Sequence, residues 1–180
     1  MKIKHKLIVT FGLLILFTMT MVGINYMTYH AIESDANFVN NAGKLRATSY
    51  KMAQLANIVV NENNQESKKE LEESINQFDK ILTDVSEGNT EKGLSIMKHE
   101  ETKAALTQIS EKWNDSYKSA YTSILNSGDK TALGLINSEV ANYVNSINDM
   151  VTGYSDYSSS KVATAKVTNG ILLVIALVVG

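Results

Sequence analysis

The sequence predicts an all-α protein, built as an antiparallel up-down-up-down four-helix bundle that is continuous with two transmembrane helices. Three observations support this prediction. The 180-residue chain contains no proline, so no residue locks φ or removes a backbone donor inside a helix. Two uncharged apolar runs lie near its ends. Between them, apolar residues recur at helical spacing, and the length leaves room for one small domain.

The first apolar run covers residues 7–24 and reads LIVTFGLLILFTMTMVGI. It is long enough to cross the hydrocarbon core of a bilayer as a helix. Lys2, Lys4 and Lys6 precede it, which predicts a cytoplasmic N-terminus at residues 1–6. A cleaved signal peptide is the alternative, but no small-residue cleavage motif follows the run.

The second apolar run covers residues 167–180 and reads VTNGILLVIALVVG. Because it is too short to span a bilayer, we expect it to be the truncated start of a second transmembrane helix. An output module would then follow on the cytoplasmic side. Residues 25–166 are predicted to form an extracytoplasmic sensor domain, anchored in the inner or plasma membrane of a bacterium.

The first helix of this domain is predicted to continue out of the membrane to about Glu62. Its large apolar residues and its small residues each repeat every seven positions, as in the seam of a coiled coil or helix bundle. The large residues are Phe38, Leu45, Met52 and Val59, and the small ones are Ala42, Ser49 and Ala56.

Three more helices are predicted before the second anchor. The second opens with a capping-box pattern from Ser67 to Glu70, residues 89–99 form a loop, and Asp129 caps the fourth helix. The apolar faces comprise Leu71, Ile75, Phe78, Leu82 and Val85 in the second helix, Leu106, Ile109, Trp113, Tyr117, Ala120 and Ile124 in the third, and Leu133, Ile136, Val140, Tyr143, Ile147, Met150 and Tyr154 in the fourth. The extramembrane parts of the first and fourth helices have similar lengths, as the up-down-up-down topology requires.

The composition argues against several classes of function. Without cysteine there is no disulfide, thiolate nucleophile or zinc ribbon. A net charge of −2 argues against a nucleic-acid partner. His5, His30 and His99 lack metal-ligand spacing, and no catalytic triad or phosphate loop stands out. We therefore expect no enzymatic activity, metal or cofactor in these residues. The tyrosines at helical spacing are more typical of a core than of an aromatic ligand pocket.

The residue types around Arg46 point to an anion site. Arg46 is the one arginine of the sequence, and Gly43 lies one helical turn before it. If two copies paired along the first helix, the two guanidinium groups would repel each other unless an anion lay between them. The planar guanidinium also matches a planar oxyanion better than a lysine does. A solvated surface arginine is the alternative interpretation.

Residues 35–51 read DANFVNNAGKLRATSYK, and this segment resembles a known sequence box. The matching elements are Asp35-Ala36, Asn40-x-Ala42-Gly43, Leu45-Arg46 and Ser49-Tyr50. The box occurs in the first sensor helix of NarX/NarQ-type nitrate and nitrite sensors, and a related version occurs in PilJ-type sensor domains of chemoreceptors. Outside these residues the chain is similar to those sensors only in layout.

The resemblance implies roles for individual residues. In that family the arginine of the box binds nitrate at the two-fold axis of a dimer, and the backbone near the glycine takes part. Arg46 would thus be the anion ligand and Gly43 the point of close approach. The predicted ligand-binding residues are Asn40, Ala42, Gly43, Arg46, Ser49 and Tyr50. The chain departs from the family pattern at Ala47, where methionine is frequent, and at Lys51, where a second arginine is frequent.

These observations lead to a principal hypothesis and two alternatives. The chain is expected to be the ligand-sensing region of a homodimeric bacterial receptor that binds a small anion, with nitrate or nitrite first. Alternatively, the domain senses an amino acid or organic acid, or it recognises a partner protein. The output module could belong to a methyl-accepting chemoreceptor, a sensor histidine kinase or a cyclase.

Overall fold

The computed structural model describes residues 3–179 and confirms the all-α class. The helices are α1 (Ile3–Glu62), α2 (Gln65–Glu87), α3 (Glu100–Lys112), α4 (Lys118–Ser127) and α5 (Lys130–Val179). A π-helical turn, Trp113–Tyr117, joins α3 to α4, so that the three form one continuous third rod. Met1, Lys2 and Gly180, on which part of the anchor predictions rests, lie outside the described residues.

Residues Ala36–Ser155 form one compact unit with a single apolar core to which all four rods contribute. Within it, α1 and α5 run antiparallel, since Arg46 contacts Asn148 and Asn57 contacts Asn137. The third rod and α5 also run antiparallel, since Tyr143 donates a hydrogen bond to the carbonyl of Ile109 and Tyr117 donates one to the carbonyl of Glu139. Four antiparallel rods around one core are what the predicted up-down-up-down bundle requires.

The predicted seam of α1 lies inside this core. Its large and small members are all buried: Phe38, Ala42, Leu45, Ser49, Met52, Ala56 and Val59. The periodicity therefore correctly identified a packed face of the helix. Because α2, the third rod and α5 of the same chain also contribute to this core, a homodimer, which stays a prediction, would have to use another surface.

The helix ends agree only in part with the predicted caps. The N-cap of α2 is Asn64, whose side chain accepts a hydrogen bond from the backbone N–H of Ser67. The predicted capping box at Ser67 is therefore wrong, because Ser67 already lies within the first turn. Asp129 does cap α5, since its carboxylate accepts hydrogen bonds from the N–H groups of Thr131 and Ala132.

The predicted loop at residues 89–99 is confirmed between α2 and α3, with a short 3-10 turn at Thr90–Lys92. Asp84 at the end of α2 anchors it through contacts with Asn89 and Lys92. These hydrogen bonds, first that from Lys92 and then that from Asn89, hold the pKa of Asp84 below its ordinary value. Leu94 and Met97 fix the loop from the other side by burying their side chains in the core.

The second compact unit comprises Met1–Asp35 and Asp156–Gly180. By length and composition, α1 and α5 each contain a segment that is apolar enough to cross a membrane. Polar contacts join the two helices within this unit. Asp35 pairs with Lys161 at 2.5 Å and accepts a hydrogen bond from Ser158 at 2.8 Å, and the amides of Asn25 and Asn169 are 2.6 Å apart. The boundaries placed at residues 24/25 and 166/167 stay predictions.

Candidate functional site

Arg46 lies on α1 at the edge of the helical core, with its side chain half-buried. Its Nη1 donates a hydrogen bond to Oδ1 of Asn148 on α5, at 2.5 Å. In the part of the chain that the structure describes, Arg46 makes no ion pair with a carboxylate. Its charge is thus held in place by a neutral amide, and no carboxylate among residues 3–179 pairs with it.

Gly43 lies directly beside this guanidinium. A Cβ atom added at Gly43 would stand 3.4 Å from Nη2 of Arg46, so the missing side chain leaves space along one side of the cation. Glycine inside a helix costs about 1 kcal/mol relative to alanine. The predicted juxtaposition of Gly43 and Arg46 is therefore present, with the guanidinium close to the helix backbone at this turn.

The other predicted site residues separate into two groups. Asn40 and Tyr50 are solvent-exposed on α1, so both are available to a ligand or a partner. Ala42 and Ser49 are 0% and 1% exposed, and the hydroxyl of Ser49 donates to the carbonyl of Leu45. The structure thus places Asn40, Gly43, Arg46 and Tyr50 toward the outside of α1, and Ala42 and Ser49 in the core.

Asn148 was missed by sequence reasoning, although it contacts Arg46, the predicted anion ligand. It is separated from Arg46 by 102 residues, so no local pattern links the two. The one available signal is that a polar asparagine lies directly beside Ile147 of the apolar face of α5. A half-buried polar side chain next to a core position can reach a partner on a neighbouring helix.

The two residues that depart from the family pattern, Ala47 and Lys51, both lie on α1. Lys51 Nζ lies 3.5 Å from a carboxylate oxygen of Glu70 on α2, and so its charge is partly balanced there. Ala47 is exposed and follows Arg46 on the outer side of α1. Among the described residues, no cluster of histidines and carboxylates could hold a metal ion.

Comparisons with known proteins agree with this fold. The PilJ family, described as "Type IV pili methyl-accepting chemotaxis transducer N-term", matches residues 27–138, more than half of the chain. No curated protein matches the sequence. A solved structure, the ligand-binding domain of the P. aeruginosa nitrate receptor McpN, aligns with a TM-score of 0.60 and 22% identity, covering 68% of this chain and 96% of that chain. At that identity the likeness shows a shared fold.

The family match confirms the predicted resemblance to PilJ-type sensor domains. The resemblance to NarX/NarQ-type sensors stays a prediction. The matched region contains the whole of residues 35–51, on which the resemblance rests, together with α2, the third rod and the first turns of α5. The chain therefore belongs to the PilJ family of N-terminal domains of type IV pili methyl-accepting chemotaxis transducers.

Proposed function

We propose that this chain is the sensor region of a transmembrane chemoreceptor that binds a small oxyanion, nitrate or nitrite first, through Arg46 in a homodimer. The single observation that carries the proposal is the half-buried guanidinium of Arg46, which has an amide partner but no carboxylate partner in the described part of the chain. A cation in this state gains more from an added anion than a cation that is already paired. The nitrate-receptor title of the structurally similar domain supports the choice of ligand.

The geometry around Arg46 suits a small planar anion. One nitrogen of the guanidinium is engaged by Asn148, and the opposite nitrogen lies over Gly43. A planar fork can donate two parallel hydrogen bonds to a planar oxyanion. The absent side chain at Gly43 lets such an ion approach the helix, whereas a larger ligand would also have to contact the exposed Asn40 and Tyr50.

A second copy of the chain is proposed to pack on the outward face of α1. This face carries a seven-residue repeat of exposed or half-exposed residues, distinct from the buried seam: Ala36, Asn40, Gly43, Ala47, Tyr50 and Gln54. Small residues at Ala36, Gly43 and Ala47 would allow two helices to approach closely. A two-fold axis along this face would place both Arg46 side chains beside it, and one anion would then offset the repulsion between them.

Signal transmission is proposed to start at the contact between α1 and α5. An anion bound on the other side of the Arg46 guanidinium would draw on the same cation and so weaken its hydrogen bond to Asn148 on α5. The apolar segments of both helices are proposed to cross the membrane, with the N-terminus in the cytoplasm and the bundle outside. A small displacement of α1 against α5 would then be passed through the bilayer. No catalytic role is proposed for these residues.

The test is isothermal titration of the full chain in non-ionic micelles with nitrate, nitrite and chloride. We expect saturable nitrate or nitrite binding that is lost in Arg46→Ala and reduced in Arg46→Lys. Lys51→Ala is the matched control, because this cation is only five residues away but pairs with Glu70. Absence of binding to a folded, dimeric chain would refute the anion proposal and favour an amino acid, an organic acid or a partner protein.

A further inference from the structure

A groove lies on the other side of the bundle, between α5 and the rod formed by α3 and the π turn. Its volume is about 770 Å³, within the range of small-molecule sites. Its floor is formed by Ile109, Tyr143 and Met150, which also belong to the apolar core. The hydroxyl of Tyr143 donates a hydrogen bond to the carbonyl of Ile109, so it is not a free donor in the groove.

The walls of the groove carry an excess of negative charge. Four carboxylates line it, namely Glu101, Glu111, Asp115 and Asp149, against the single ammonium of Lys112. None of the four forms an ion pair with any residue that the structure describes. An apolar floor surrounded by uncompensated carboxylates is complementary to a molecule with an apolar body and a positive charge.

The π turn Trp113–Tyr117 builds part of this wall. The backbone N–H of Lys118 bonds to the carbonyl of Trp113, five residues earlier, which is the widened spacing of a π helix. The turn buries Trp113 and Tyr117 in the core and contributes Asp115 and Ser116 to the groove. Single π turns of this kind are frequent at functional sites.

Gly153 marks one end of the groove and has no structural reason to be glycine. It lies inside α5, where glycine is unfavourable, and a Cβ atom added there would meet no atom within 4 Å. A side chain at this position would fit the fold and would occupy the groove. Gly153 thus offers a way to block the groove without disturbing the core.

We propose that this groove binds a small organic cation with an apolar body, of the arylalkylamine class, independently of the anion site at Arg46. The ring or alkyl part lies against Ile109, Tyr143 and Met150, and the ammonium group faces the carboxylates of Asp115 and Asp149. A receptor with both sites responds to two chemically opposite ligands through α5, the helix that contacts Arg46 on one side and lines the groove on the other.

The experiment is a calorimetric titration of the full chain in non-ionic micelles with 2-phenylethylamine, using micelles alone as the reference. The uncharged 2-phenylethanol tests the contribution of the charge. We expect saturable amine binding, weaker binding of the alcohol, and a loss of affinity of about two- to fivefold in Asp149→Asn, the range of an exposed charge pair. Glu72→Gln, an exposed carboxylate on α2, is expected to leave the affinity unchanged.

Gly153→Leu locates the site. Gly134→Leu is its matched control, since Gly134 also lies in α5 with open space around it but outside the groove. We expect amine binding to disappear only in Gly153→Leu, with unchanged helix content by circular dichroism. No amine binding to the unaltered chain, equal binding of amine and alcohol, or full binding by Gly153→Leu would each overturn the proposal. A lower oligomeric state of Gly153→Leu alone would also overturn it and identify the groove as an interface between copies.

Discussion

The contact between Arg46 and Asn148 makes the proposed anion site sensitive to one atom at position 148. Asn148 presents an amide oxygen to Nη1 of Arg46 at 2.5 Å. Asn148→Asp replaces the amide by a carboxylate of nearly the same shape and thus introduces an internal anion at the guanidinium. A free oxyanion then has to compete with this carboxylate for Arg46.

The geometry sets the size of the expected effect. Two unit charges about 4 Å apart interact with about 4 kcal/mol at an effective dielectric constant of about 20. Arg46 and Asn148 are both half-buried, so solvent screens much of this energy, and exposed ion pairs retain about 1 kcal/mol. We therefore expect Asn148→Asp to weaken anion binding about fivefold.

Isothermal titration of the full chain with the anion that binds best measures this effect. Asn137→Asp is the matched control, since it places a carboxylate in the other amide pair between α1 and α5, opposite Asn57 and away from the cation. The expected result is weaker binding in Asn148→Asp alone. Equal affinities in the two variants and the original chain would refute the assignment of the anion to the free side of Arg46.

Three further predictions follow from contacts elsewhere in the chain. The sequence lacks cysteine, so a single introduced cysteine can report on the proposed dimer face. Ala47→Cys should form disulfide-linked dimers on mild oxidation, whereas Glu72→Cys should not. Equal cross-linking of the two variants would contradict the proposed dimer face. Because the pKa of Asp84 is lowered in the folded state, the stabilisation by its carboxylate is present at neutral pH and is lost as the pH falls below about 3.9. Asp84→Asn should therefore reduce the loss of thermal stability at acid pH. An unchanged loss would contradict this reasoning. Asn64→Ala should lower the free energy of unfolding by about 1 kcal/mol in denaturant titrations, and Ser67→Ala should lower it by less. The reverse order would indicate that Ser67, and not Asn64, caps α2.

The sequence was sufficient for the helices and their buried faces because helical periodicity directly reports which side of a helix avoids water. It could not say what covers that side. Ala42 and Ser49 fitted a dimer seam by spacing, but the same pattern serves a helix that packs within its own chain. The pairing of Gly43 with Arg46 was predictable because residues three positions apart on a helix are neighbours.

Features that depend on distant residues could not be predicted. Asn148 approaches Arg46 only after α5 has packed on α1. The π turn at Trp113–Tyr117 has no sequence signature of its own, and the indole N–H of Trp113, which donates to Asp79 at 2.5 Å, finds its partner on α2. The cap at Asn64 was missed because the S-x-x-E pattern points to Ser67 as the N-cap. In the structure Ser67 instead donates its backbone N–H to the side chain of Asn64.

The asparagine pairs between α1 and α5 have a consequence for what the receptor can report. In the unit Ala36–Ser155, the polar links between these helices include Asn57 with Asn137 and Arg46 with Asn148. Amides do not titrate and carry no net charge, and arginine stays protonated at every physiological pH. These two links between α1 and α5 therefore keep their strength when the acidity changes. A ligand that disturbed either of them would act on the same contact across the physiological pH range.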